Sequence, residues 1–165
     1  MDVLFDYWPI VGFASFFVVA LLFSLLFRRR TPLPYEMRPA LLTRSELQFL
    51  VVLREAVGDR WNISPMVRMA DILRVREEAN QRQSWQNRIL AKHIDFLLCD
   101  SGSMEIKLAI ELDDRSHRRT DRVTRDAFVN KAFAAADVPL IRVPVRREYD
   151  PETLRATIDK RIAAA

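Results

Sequence analysis

The sequence predicts an α/β fold, a sandwich with a central mixed four-stranded sheet flanked by helices and preceded by one transmembrane helix. Three observations carry that expectation. A charge-free apolar run fills residues 9–27, two short apolar runs flank a Ser-Gly-Ser turn at 101–103, and helix-start signals precede residues 44 and 151. The implied order is helix, strand, hairpin of two strands, helix, strand, helix, which folds as helices packed on a mixed sheet.

With 165 residues there is room for one ordinary domain plus an appendage. The appendage comes first. As a helix, residues 9–27 would span about 28 Å, close to the hydrocarbon thickness of a bilayer. Tyr7 and Trp8 stand at its amino end, where interfacial aromatics belong, and Arg28, Arg29 and Arg30 follow its other end. A cleaved signal peptide, the rival reading, wants a basic start and a shorter apolar core, whereas this start carries Asp2 and Asp6. Residues 1–30 are therefore expected to anchor the chain as a single pass in the inner, cytoplasmic membrane. The arginine end then lies in the cytoplasm and the amino terminus outside.

Residues 31–40 hold three prolines and read as an extended linker, so the soluble domain covers 41–165. Thr43 and Glu46 form a Thr-x-x-Glu capping box, and Gly58 is placed to end the helix, giving 44–57. Its predicted buried stripe is Leu47, Leu50, Leu53 and Val57, widened by Phe49, Val51 and Val52. Residues 61–73 read as a strand entered through Pro65. Residues 74–92 carry five Arg/Lys against two Glu and stand as a helix or a loop bearing Trp85. That segment is read either as a solvated insertion or as a phosphate-contacting flap.

Next come Lys92 to Asp100 and Lys107 to His117, apolar runs with acids where buried strands normally have none. Alternation puts His93, Asp95 and Leu97 on one face and Ile94, Phe96 and Leu98 on the other. It also groups Glu111 with Asp113 and opposes them to Ile110 and Leu112. If the runs pair, three carboxylates converge. Their desolvation and repulsion cost several kcal/mol per ion unless a cation compensates. A basic cluster follows at Arg115, Arg118, Arg119, Arg122 and Arg125. Residues 121–136 have the spacing of an amphipathic helix through Val123, Ala127, Phe128, Ala132 and Ala135. Residues 140–145 read as a strand, and Asp150-Pro151-Glu152 starts a last helix reaching Ile162.

An early helix bearing Glu46, an Asp in an Ile-Asp-Phe strand, and Ile110-Glu111-x-Asp113-x-x-x-His117 together resemble the PD-(D/E)XK, or restriction-endonuclease-like, superfamily. Within it the very-short-patch-repair-endonuclease-like branch is the nearest. More narrowly, Lys92 to Phe96 with Ala109 to Asp114 and Ser116-His117 is similar to an uncharacterised bacterial domain often found behind one membrane helix. The resemblance covers roughly residues 41–145 and implies a restriction-endonuclease-like sandwich performing metal-dependent phosphodiester hydrolysis. Asp95 and Glu111 would then be the acidic residues of the two motifs. Asp113 departs from the pattern, standing where the superfamily usually has a lysine that polarises the attacking water. His117 is the replacement that the short-patch-repair branch implies, with Lys92 or Lys131 as sources of a migrated positive charge.

On this reading Asp95, Glu111 and Asp113 hold Mg²⁺ or Mn²⁺, hard cations that favour oxygen ligands. The metal would lower the pKa of a bound water and neutralise charge on the scissile phosphate, with His117 relaying a proton. Arg115, Arg118, Arg119 and Arg122 would position the phosphate backbone. Blander alternatives stand beside these roles. Glu46 is also a plain helix cap, His93 a half-exposed strand residue, and Asp113 with Asp114 ordinary turn chemistry. A net charge of +4 and a pI near 9.6 favour anionic partners without choosing between nucleic acid and lipid. Lone Cys99 excludes an internal disulfide, and with His93 and His117 it makes no structural zinc set. Two function classes follow. One is a membrane-anchored nuclease acting on DNA at the cytoplasmic face; the other is a catalytically inactive module that binds nucleic acid or a membrane-associated partner.

Overall fold

A computed structural model describes residues 8–26, 32–113 and 120–164. The chain divides into two compact units, Met1–Pro39 and Ala40–Ala165. In the first, α1 (Trp8–Leu26) is a 19-residue helix without a charged side chain. Side chains 11–24 are described and all are exposed, phenylalanines and leucines included. Its hydroxyl at Ser15 returns a 2.8 Å hydrogen bond to the Val11 carbonyl, so it adds no unsatisfied donor to the apolar surface. Among the described residues no helix is long and apolar enough to cross a membrane.

The second unit opens with α2 (Arg44–Val57), capped as its sequence predicts. Glu46 Oε2 accepts the Thr43 N–H at 2.7 Å and Thr43 Oγ1 accepts the Glu46 N–H at 3.3 Å. Gly58, at φ 57°, ends the helix in a left-handed conformation that suits a residue lacking Cβ. The buried face is Phe49, Leu50, Leu53, Ala56 and Val57, which keeps most of the predicted stripe and adds Ala56, whereas Leu47 and Val51 are solvent-exposed. Then come β1 (Trp61–Arg68), the single turn α3 (Met69–Ile72), and α4 (Arg82–Leu90) bearing Trp85. The strand expected over 61–73 thus stops at Arg68. Met69 turns inward to full burial and its N–H is taken by the Lys92 carbonyl at 2.8 Å, which bends the chain out of the sheet.

The hairpin forms as β2 (His93–Asp100) and β3 (Ile106–Asp113), followed by α5 (Thr120–Ala135), β4 (Leu140–Pro144) and α6 (Pro151–Ala163). The sheet order is β1-β2-β3-β4, antiparallel except for the parallel β3–β4 pair. The predicted mixed four-stranded sheet flanked by helices is therefore present, with the acidic strands at its centre. Pro65, which lacks an N–H, falls on the β1 edge, where its missing donor costs least.

Both faces of the sheet are covered. Phe96, Leu98, Leu108 and Ile110 pack with α2 and with Leu154 and Ile158 of α6. Leu97, Cys99 and Ala109 pack with Met69, Ile89 and the α5 residues Val129 and Phe133. Ile94, expected beside Phe96, belongs to this second cluster. Cys99 is the small buried apolar residue the sequence implied, and burial pushes its thiol pKa up. On α5, Ala127 and Ala135 are exposed, and Phe128 and Ala132 only partly buried.

Two aspartates fasten turns. Asp100 Oδ1 accepts from the Gly102 and Ser103 N–H groups and the Ser103 hydroxyl, closing the hairpin; Asp150 accepts the Thr153 N–H at 2.8 Å and caps α6. Backbone and side-chain bonds from Ser103 hold Asp100 below the usual carboxylate range, and the Thr153 hydroxyl and N–H do so for Asp150. A depressed folded-state value stabilises the fold fully above the unfolded pKa of about 3.9 and is lost as pH falls through the folded value. Asp150→Asn is expected to lower the urea midpoint at neutral pH, with the difference from wild type closing in acid. A pH-independent gap would refute the assignment.

Candidate functional site

After an irregularity between Leu98 and Cys99, the strands β2 and β3 pair in register from Leu98 with Leu108 to Phe96 with Ile110. One residue further, a side chain takes over from the ladder: Asp95 Oδ2 accepts the Leu112 N–H at 2.7 Å. Continuing the register sets Asp95 beside Glu111, and both are half-buried. The two acids thus stand on adjacent central strands.

Glu111 is also the register partner of Arg142 on the parallel strand β4. Arg142 Nη1 donates to Asp113 Oδ1 at 2.7 Å and lies 3.4 Å from Asp126 Oδ1, while its Nε donates to Asn130 Oδ1 at 3.0 Å. Among the described residues its buried Nη2 meets no hydrogen-bond partner. A cation therefore does stand beside the acidic motif, as an arginine on the neighbouring strand. Sequence reasoning missed Arg142. The signal was a charged residue in the middle of the apolar run Leu140-Ile141-Arg142-Val143; what alternation could not supply was the parallel pairing with β3. Arg142 also lines a cleft of about 610 Å³ with Arg146, Tyr149, Asp150 and Thr153.

The other predicted residues fall as follows. Glu46 is engaged as the α2 cap, and α2 packs on the Phe96 face, away from Asp95. His93 pairs with Arg68 across the β1–β2 ladder and stands near Asp71, which is ion-paired to Arg68 at 2.8 Å. Lys92 Nζ donates to the Arg88 carbonyl at 3.0 Å, and Lys131 is exposed on α5. Asp114, Arg115, His117, Arg118 and Arg119 lie outside the described residues, and Arg122 is described only as part of the α5 backbone.

Residues 38–162 match the protein family DUF2726, whose description is a protein of unknown function. The chain belongs to this family. No curated protein and no solved structure matches it. In this DUF2726 chain the carboxylates form a pair plus an ion pair: among the described residues no three His, Cys, Asp or Glu side chains are grouped to hold a metal. The pair nonetheless suits Mg²⁺, which is commonly held by one or two carboxylates and keeps several waters. Asp113 is the less suited of the three, since Arg142 already neutralises it.

The Arg142 network makes its own prediction. Arg142→Met leaves Asp113 and Asp126 facing each other without their shared cation, and should destabilise the DUF2726 domain by about 1–2 kcal/mol, given a half-exposed Asp113 that water partly screens. Arg142→Lys should recover little, because a single compact ammonium cannot occupy both the Nε position that meets Asn130 and the Nη1 position that meets Asp113. Urea denaturation measures both, and a lysine variant as stable as wild type would contradict this account.

Proposed function

We propose that this protein is a metal-dependent nuclease of restriction-endonuclease-like architecture, anchored in the cytoplasmic membrane by residues 9–27 and acting on DNA at the cytoplasmic face. The observation that carries the reading is the two half-buried acids Asp95 and Glu111 on the central strands, with Arg142 paired to Glu111 across the β3–β4 ladder. Half-burying two carboxylates on neighbouring strands is costly unless a cation or hydrogen-bond donors compensate it. Asp95 and Glu111 would hold Mg²⁺ or Mn²⁺, which supplies an activated water and neutralises phosphate charge. Arg142 holds Asp113 in place, and its buried Nη2 provides a fixed positive charge beside the pair. His117 and the arginines at 115, 118, 119 and 122 are the proposed proton relay and phosphate contacts. Anchoring is supported by α1, apolar and exposed on all sides, a surface that water does not favour.

The test is cleavage of DNA by the purified full chain with Mg²⁺ or Mn²⁺ and with chelator. Metal-dependent cleavage is expected; none under any metal overturns the nuclease and leaves the inactive module. Recovery of the protein wholly in the soluble fraction after lysis would dismiss the anchor.

A further inference from the structure

The helix α4 has one buried side chain, Ile89, and no acidic residue, yet it carries a ledge of stacked cations and rings. The Arg88 guanidinium lies 4.8 Å from the Trp85 ring centroid and 4.1 Å from that of Phe128, and Lys92 Nζ lies 5.1 Å from Phe128. Trp85 still leaves 44% of its surface in solvent. Neither the core nor the Arg88 contact accounts for that much open indole.

The ledge is placed with respect to the carboxylates. Lys92 directly precedes β2, whose third residue is Asp95. Phe128 lies on one flank of α5, whereas Asp126 and Asn130, which hold Arg142, lie on the other. The Trp85–Arg88–Phe128 stack and the Arg142 cluster thus stand on opposite sides of α5.

We propose that this ledge binds single-stranded nucleic acid, an unpaired base stacking on Trp85 while Arg88, Lys92 and Arg82 neutralise the adjoining phosphates. Every base has a flat face, and aromatic stacking with nearby arginine is the usual way a strand is held without sequence preference. A duplex hides its base faces and would engage only the charges, so an open indole favours unpaired substrate. An anionic membrane surface shares the phosphate chemistry but presents no plane to stack. The choice of ligand rests on the nuclease reading and narrows it to single strands or frayed ends.

The experiment measures fluorescence anisotropy of labelled oligothymidine and of a duplex of equal length, with the full chain in mild detergent and chelator. Oligothymidine should bind more tightly than duplex, quench tryptophan fluorescence, and weaken with salt. Trp85→Ala should cost about 5- to 100-fold in affinity, Trp85→Phe little, and Arg88→Gln should reduce both affinity and salt dependence. Equal affinity for wild type and Trp85→Ala, preference for duplex, or binding only to phosphatidylglycerol vesicles would each overturn the ledge. Cleavage with Mg²⁺ is read separately. Trp85-dependent binding without cleavage ends the nuclease and keeps the ledge, whereas cleavage indifferent to Trp85 and to strandedness does the reverse.

Discussion

Asp95→Asn and Glu111→Gln are each expected to lower metal-dependent cleavage by about a hundred- to a thousandfold, the scale on which losing one fixed electrostatic group at a reacting centre is felt. The substitutions keep shape and remove charge. An asparagine oxygen can still accept the Leu112 N–H that Asp95 receives, so the join between β2 and β3 survives and the effect falls on metal and phosphate. Thermal unfolding of each variant, run beside the cleavage assay, separates that effect from misfolding. If wild type cleaves and both variants match its rate with unchanged stability, the chemistry lies elsewhere in the domain. Added metal should raise the unfolding temperature of wild type and not of the double variant, because an ion that binds only the folded site stabilises by mass action.

Phe96→Ala is expected to cost about 3–5 kcal/mol, the range for emptying a buried aromatic site. Phe96 is fully buried in the central strand β2, its ring 5.5 Å from that of Phe49, which in turn meets Tyr149 at 5.1 Å. The truncation strips one wall from the cluster that joins α2, the sheet and α6. Domains of this size have about 5–15 kcal/mol in total, so a third or more of the stability is at stake. Because the preceding residue is Asp95, the same change should loosen the site. Urea denaturation gives the cost directly, and a loss below about 1 kcal/mol would mean that the cluster collapses to fill the space.

Where the sequence was readable, a local chemical signal coincided with a structural need. Thr43 with Glu46 and Asp150 with Pro151 each announce a helix start through groups that bond within a few residues, and both starts lie where they were expected. Alternation put Phe96 with Leu98 and Ile110 with Leu112, and those four share a cluster, but it failed at Ile94, which packs in the opposite one. It did not tell that a second helical layer covers the other face, because β2 is apolar on both sides and alternation alone does not distinguish one cover from two. The stripe of α2 was readable through Phe49, Leu50, Leu53 and Val57, but Leu47 and Val51 are exposed and Ala56 is buried in addition. Arg142 escaped notice for a different reason: its pairing with β3 is non-local, its ion-pair partner Asp113 lying 29 positions away, and nothing in the run 140–144 names its neighbour. His117 and the neighbouring arginines were named from pattern alone and fall outside the described residues.

The hydrogen bond from Leu112 to Asp95 makes one amide proton a gauge of the site. Whatever draws charge from that carboxylate, a cation or an acid, weakens the acceptor on which the end of β3 depends. If the proposed cation binds there, occupancy and backbone protection are coupled, and by thermodynamic reciprocity a chain that frays at Leu112 would bind that cation with altered affinity. Deuterium uptake at this single position would follow ligation without any label, substrate or turnover.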